Sequence, residues 1–176
     1  MIISEAPLAG AYVVELKKLE DDRGFFARSF CKQEFADIGL DLDMVQTNIS
    51  YNKVKGTLRG FHYQVSPYQE EKLVRCLQGA LFDVIVDLRK NSPTYMHSYG
   101  VELSARNLRS LLVPKDFAHA FVTLEDDTIA QYQVSQYYTP GAEQGIRWND
   151  PRIKVKFPTP VVVVSDKDSS WPDYNA

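Results

Sequence analysis

Three histidines, His62, His97 and His119, are the whole imidazole complement of this 176-residue chain. No two of them form the HxH pair by which a β-barrel metal site collects imidazoles on one strand, so the inventory argues against a protein-bound catalytic metal. The two cysteines, Cys31 and Cys76, stand in unrelated contexts with no CxxC, which suggests neither a zinc site nor a disulfide framework. General acid–base chemistry is what remains, and the stretch Thr57 to Gln64, TLRGFHYQ, is where to look for it. Period-2 alternation sends Phe61 and Tyr63 one way and Gly60, His62 and Gln64 the other. Arg59 precedes the histidine by three residues, Gly60 leaves room for another group to approach, and Lys72 opens the next strand. One cavity can thus hold a titratable base and two fixed cations. The plainer reading of His62 is a strand histidine satisfied by a neighbouring hydroxyl or carbonyl.

Other candidates carry a plain reading too. His119 shares a face with Phe117 and Phe121, as a histidine packed between aromatics would. Tyr132, on the face of Ala130 and Val134, is either a core tyrosine or a phenol able to donate a proton. Asp166 and Asp168, in the tail Ser165-Asp166-Lys167-Asp168, either cap a solvated turn or orient the far nitrogen of His62. Arg23 and Phe26, in the turn DDRGFF, suit a diphosphate and a stacked base, and Gln46, Thr47 and Asn48 bring polar side chains to a strand entrance. No GxxxxGK[ST] or GxGxxG accompanies them, which excludes the usual P-loop and dinucleotide-binding readings.

The elements that must position these groups read as strands. Gly79 to Leu88 alternates with Phe82, Val84, Val86 and Leu88 on one face and Leu81, Asp83, Ile85 and Asp87 on the other. Similar runs cover Ala11–Leu16, Lys72–Leu77, Ser98–Leu103, Ser110–Val113, Thr128–Val134 and Val161–Val164, divided by turn signals. Lys32–Ile38 is the one plausible short helix, with Ser29 as its N-terminal cap and Gly39 as its stop. Many short strands without intervening helices predict an antiparallel sandwich or barrel in one domain over residues 1–176. The net charge of −3 argues against a nucleic-acid surface. No apolar run approaches a membrane span and no leader pattern opens the chain, so the expected location is the cytoplasm.

The ordered motifs DDRGFF, VQTN, GTLRGFHYQ, EKLVR, FDVIVDLR, SPTY, VELSARN, PKDFAHAF, GIRWNDP and SDKD together resemble the dTDP-4-dehydrorhamnose 3,5-epimerase family over nearly the whole chain. The resemblance implies a cupin-type jelly roll without metal or redox cofactor, acting on a nucleotide-diphosphate 4-keto-6-deoxy sugar. It also implies a homodimer in which residues 1–30 help to complete the partner's site, Arg23 and Phe26 among them, and a tail over 165–176 that carries site residues.

By the same resemblance His62 is the base, Asp168 its carboxylate, Tyr132 the acid on the opposite face, and Lys72 the cation at the keto oxygen. Arg59, Gln46, Thr47, Asn48, His119, Tyr138, Glu143 and Lys167 fall on ligand-contacting positions. The chain departs from the family pattern at Arg28, where a glutamate is frequent, at Thr47, where an aspartate is, and at Ala120, where a glycine is usual. Inversion at one carbon only, a binding protein without turnover, and a metal-dependent cupin are the competing readings.

Overall fold

The computed structural model describes residues 1–175 as two facing antiparallel sheets and a separate hairpin. In chain order the strands are β1 (Ile2–Glu5), β2 (Tyr12–Glu15), β3 (Lys18–Asp21), β4 (Gly24–Ala27), β5 (Gln46–Asn52), β6 (Leu58–Gln64) and β7 (Lys72–Gln78). They continue with β8 (Ala80–Asp87), β9 (Ser98–Ser104), β10 (Ser110–Val113), β11 (Phe117–Thr123), β12 (Thr128–Val134) and β13 (Glu143–Gly145). The six-stranded sheet runs β1-β2-β10-β7-β12-β5 and the five-stranded sheet β13-β6-β11-β8-β9, with β3 and β4 paired only to each other. This is the antiparallel sandwich that the strand pattern predicts, in the jelly-roll form that the resemblance implies.

Alternation explains how one strand serves two cores. Leu81 and Ile85 of β8 face inward, where they meet Val74, Leu111, Val113 and Ala130 of the opposite sheet. Phe82, Val84 and Val86 point outward into a second cluster with Phe61, Ala118 and Ala120, roofed by Ile146, Ile153 and Phe157 from the C-terminal part of the chain. A third cluster lies outside the six-stranded sheet, where Phe35 and Leu42 cover Val14, Leu73 and Leu112. Because the outer faces are partly roofed, several strands read as nearly continuous apolar runs.

Three expectations need correction. The helix α1 (Lys32–Ala36) ends with a left-handed Gly39 as expected, but Cys31 occupies its N-cap without a side-chain bond. Ser29 instead offers its carbonyl to Arg75 at 2.9 Å. The strand expected over Val161–Val164 is reduced to a single bridge, Val163 opposite Thr57, directly after Pro158 and Pro160, which cannot donate to a ladder and so do not extend it toward the N-terminal side. The tail beyond it, read in sequence as a charged turn, forms a short helix, α2 (Asp166–Ser170), capped by Ser165, whose hydroxyl accepts from the Asp168 amide at 3.1 Å. No helix of the described residues is long and apolar enough to cross a membrane.

Candidate functional site

The site begins with an irregularity in β6. Pairing with β11 matches His62 to His119 but Arg59 to Phe121, so β6 carries one residue more than its partner across this span. A bulge of this kind re-aims side chains. Here it turns Arg59 and His62, three residues apart, into the same pocket. Gly60 sits inside the bulge with φ of +119°, and a Cβ there would come within 2.5 Å of the Ala120 side chain and the His119 carbonyl. Only glycine tolerates both the backbone angle and the approach.

The pocket, about 230 Å³, opens between the two sheets. The five-stranded sheet contributes Arg59, His62 and Gln64 from β6, His119 from β11 and Glu143 from β13; the facing sheet contributes Gln46 and Asn48 from β5, Lys72 from β7 and Tyr132 from β12. Glu70 and Tyr138 close its sides from loops. No group of three or more histidine, cysteine or acidic side chains among the described residues is arranged to hold a metal ion.

His62 Nε2 lies 2.7 Å from Asp168 Oδ1. The other oxygen, Oδ2, accepts the Gly60 amide at 3.2 Å. An ionised carboxylate only accepts, so this contact assigns the proton of the neutral ring to Nε2 and leaves the lone pair on Nδ1. Burial pushes the Asp168 carboxyl up, but the hydrogen bond and charge of His62, the Gly60 amide and Lys167 together bring it below the ordinary aspartate value. Asp168 is placed by α2 and by the residues after it. Trp171 packs its ring against Gly145, where any Cβ would overlap it, and stands in a T-shaped arrangement with the His62 ring, centroids 6.4 Å apart. Arg147 binds Asp173 through two hydrogen bonds of 2.7 and 2.9 Å, which ties down the chain beyond the tryptophan.

On the pocket side, Glu143 Oε1 stands 4.0 Å from His62 Nδ1, and its other oxygen contacts the Lys167 ammonium. His119 has a carboxylate of its own, Asp83, at 2.7 Å and fully buried. Lys72 lies 3.1 Å from Glu70, whose second oxygen accepts from Gln64 at 3.3 Å. Arg59 is braced by Asn52, with Nε donating to Oδ1 at 2.7 Å. The Tyr132 phenol is raised above its ordinary value chiefly by burial, with Glu70 and Glu143 acting in the same sense and Arg59 against it. It therefore keeps its proton at neutral pH.

The structure thus brings His62, Asp168, Tyr132, Lys72, Arg59, Gln46, Asn48, His119, Tyr138, Glu143 and Lys167 to one place. It leaves three of the sequence candidates outside. Thr47 falls on the outer, exposed face of β5, opposite in parity to Gln46 and Asn48. Arg23 and Phe26 sit on the β3–β4 hairpin, 89% and 70% exposed; Arg23 is engaged by Asp21, and Phe26 lines a surface groove with Lys17 and Arg28. Arg28, the departure noted above, pairs with Glu34 at 2.8 Å. Sequence reasoning missed Asp83, Glu70 and Trp171. Asp83 had a visible signal, since it interrupts the apolar face of Leu81 and Ile85, and a charge there needs a buried partner.

Comparison with known proteins agrees with this geometry. A profile of the dTDP-4-dehydrorhamnose 3,5-epimerase family matches residues 5–176. The Shigella flexneri protein named dTDP-4-dehydrorhamnose 3,5-epimerase is 41% identical over 169 residues, covering 96% of this chain and 93% of that one. Among solved structures, the Bacillus anthracis dTDP-4-dehydrorhamnose 3,5-epimerase with TDP and PPi bound superposes with a TM-score of 0.95 at 42% identity, over 98% of this chain and 99% of that one. The Legionella pneumophila dTDP-6-deoxy-D-glucose-3,5-epimerase in complex with dTDP-4-keto-L-rhamnose gives a TM-score of 0.91 at 37% identity, over 98% and 92% of the two chains. With the match running from end to end in both sequence and fold, this chain belongs to the dTDP-4-dehydrorhamnose 3,5-epimerase family.

Proposed function

We propose that the protein converts dTDP-4-dehydro-6-deoxy-D-glucose to dTDP-4-dehydro-L-rhamnose by inverting carbons 3 and 5. The observation that supports this best is the placement of a carboxylate-backed imidazole on one sheet opposite a protonated phenol and a lysine on the other. Both carbons flank the ketone, so each C–H bond can break as an enolate forms. His62 Nδ1 takes the proton, and Asp168 stabilises the imidazolium that results. The Lys72 ammonium meets the charge developing on the keto oxygen. Tyr132 returns a proton from the opposite face, which inverts the centre.

Arg59 serves the diphosphate, a task suited to a guanidinium already braced on one edge. Gln46, Asn48 and Tyr138 take the nucleoside end, while His119, Glu143 and Lys167 line the sugar end. The working unit is a homodimer in which the β3–β4 hairpin supplies Arg23 and Phe26 to the partner's pocket. Supporting this are the isolation of that hairpin from both sheets and its exposed Leu19, Phe25 and Phe26. The outer face of β5 beside Thr47 likewise exposes Ile49 and Tyr51.

The test is incubation of dTDP-4-dehydro-6-deoxy-D-glucose with the protein in deuterated water, followed by NMR of the ring. Deuterium at both carbons, absent with His62→Ala, is the expected result. A single labelled carbon selects a mono-epimerase, and no label on either refutes the assignment.

A further inference from the structure

On the epimerase reading a single base acts at two carbons. Each abstraction leaves His62 as an imidazolium, so the first proton must depart before the second can be taken. The surroundings of the ring restrict where it goes. Nε2 is committed to Asp168, whose side chain is only 6% exposed and whose oxygens are held by His62 and Gly60. The abstracted proton therefore arrives on Nδ1. Glu143 Oε1 is 4.0 Å from that atom, on β13, the strand paired directly to β6, where Gly145 is the register partner of His62. The second oxygen of Glu143 contacts Lys167, which is 54% exposed. A carboxylate 4.0 Å from the base's working nitrogen, within reach of a small side-chain rotation or one bridging water, and in contact on its other side with a solvated cation, stands between the chemistry and water.

We propose that Glu143 carries the abstracted proton from His62 to solvent between the two inversions, an inference that rests on the epimerase reading. In the transfer the Nδ1–H bond of the imidazolium breaks and an O–H bond forms at Oε1. The carboxylic acid then gives its proton to water and returns to the anion. Lys167 loses its anionic partner only for that interval, and its exposure lets water take the place of the carboxylate. For ordinary groups, moving a proton from imidazolium to carboxylate is about a hundredfold uphill, a population that a relay tolerates because the acid form is only passed through. A side chain that merely held the sugar would have no need of a line to solvent.

Glu143→Gln keeps the shape and removes the proton-carrying group. In deuterated water the readout is the rate of labelling at the second carbon relative to the first, so that any effect of the change on sugar binding, common to both steps, cancels. The second inversion should slow by about tenfold or more, so that singly inverted sugar accumulates. Added formate, a small diffusible carboxylate, should restore the second step, and Glu143→Asp should still give doubly labelled product. Equal slowing at both carbons, a rise in KM alone, unchanged kinetics, or no response to formate would each overturn the relay. If the unaltered protein labels neither carbon, it is the epimerase assignment that has failed.

Discussion

Replacing Asp168 by asparagine tests the catalytic reading most directly, because the change keeps the volume and removes one charge. The carboxylate lies 2.7 Å from Nε2 and is nearly excluded from water, while its position behind the ring keeps it out of the pocket lining. It should therefore act on the rate more than on substrate affinity. Taking charge centres about 4 Å apart and an effective dielectric of about 20, a full imidazolium gains about 4 kcal/mol from the anion. The transition state carries only part of that charge, so about 2 to 4 kcal/mol is at stake, or about 30- to 1,000-fold in kcat. An amide can also present its NH2 to Nε2 and so favour the wrong tautomer, which pushes toward the upper end. The assay is the initial rate of deuterium entry under saturating substrate, with KM measured alongside. Retention of kcat within about threefold, or a loss confined to KM, would refute the argument that this carboxylate supports the base.

Tyr132→Phe should keep deuterium exchange at the first carbon while losing inversion, seen as labelled substrate of unchanged configuration; loss of exchange as well would remove the phenol from the reprotonation step. Gly60→Ala should destabilise the fold by about 2 kcal/mol or more, measured by urea unfolding, because its Cβ meets backbone on β11 at a positive φ. Asp87 accepts from Arg89, Ser92 and Thr94, and although burial alone would raise it, these bonds bring its pKa down to about 2 from 3.8. A carboxylate depressed in the folded state stabilises above the unfolded pKa and loses that contribution as pH falls through the folded one. The stability gap between the unaltered protein and Asp87→Asn should therefore shrink by about 2 kcal/mol between pH 5 and pH 2.

Much of the fold was legible because alternation is local. The two faces assigned to Gly79–Leu88 are those observed, and the separation of Phe61 from His62 is too. Contacts that depend on chain return were not legible from periodicity. Nothing near His62 names Asp168 as its partner, 106 residues away; residue reading left Asp166 and Asp168 as alternatives, and only the resemblance over the whole chain chose between them. The strand expected at Val161–Val164 failed for a related reason. Its residues have the right types, yet directly after two prolines they form only one bridge, and local composition does not report how much ladder a partner strand can offer. Thr47 marks the limit of motif transfer: adjacent strand residues face opposite ways, so a three-residue motif places at least one side chain elsewhere.

On the proposed assignment the base and the acid hang from different sheets, His62 on the five-stranded and Tyr132 on the six-stranded one. Facing sheets sit about 10 Å apart, a gap set by the side chains between them. A flat sugar ring held in that gap presents one side to each sheet, so the handedness of the product is written into the order of the strands as much as into the reactive groups. Altering the stereochemical outcome then requires turning the ring over or moving a group between sheets, and no exchange of side chains within one sheet can do it.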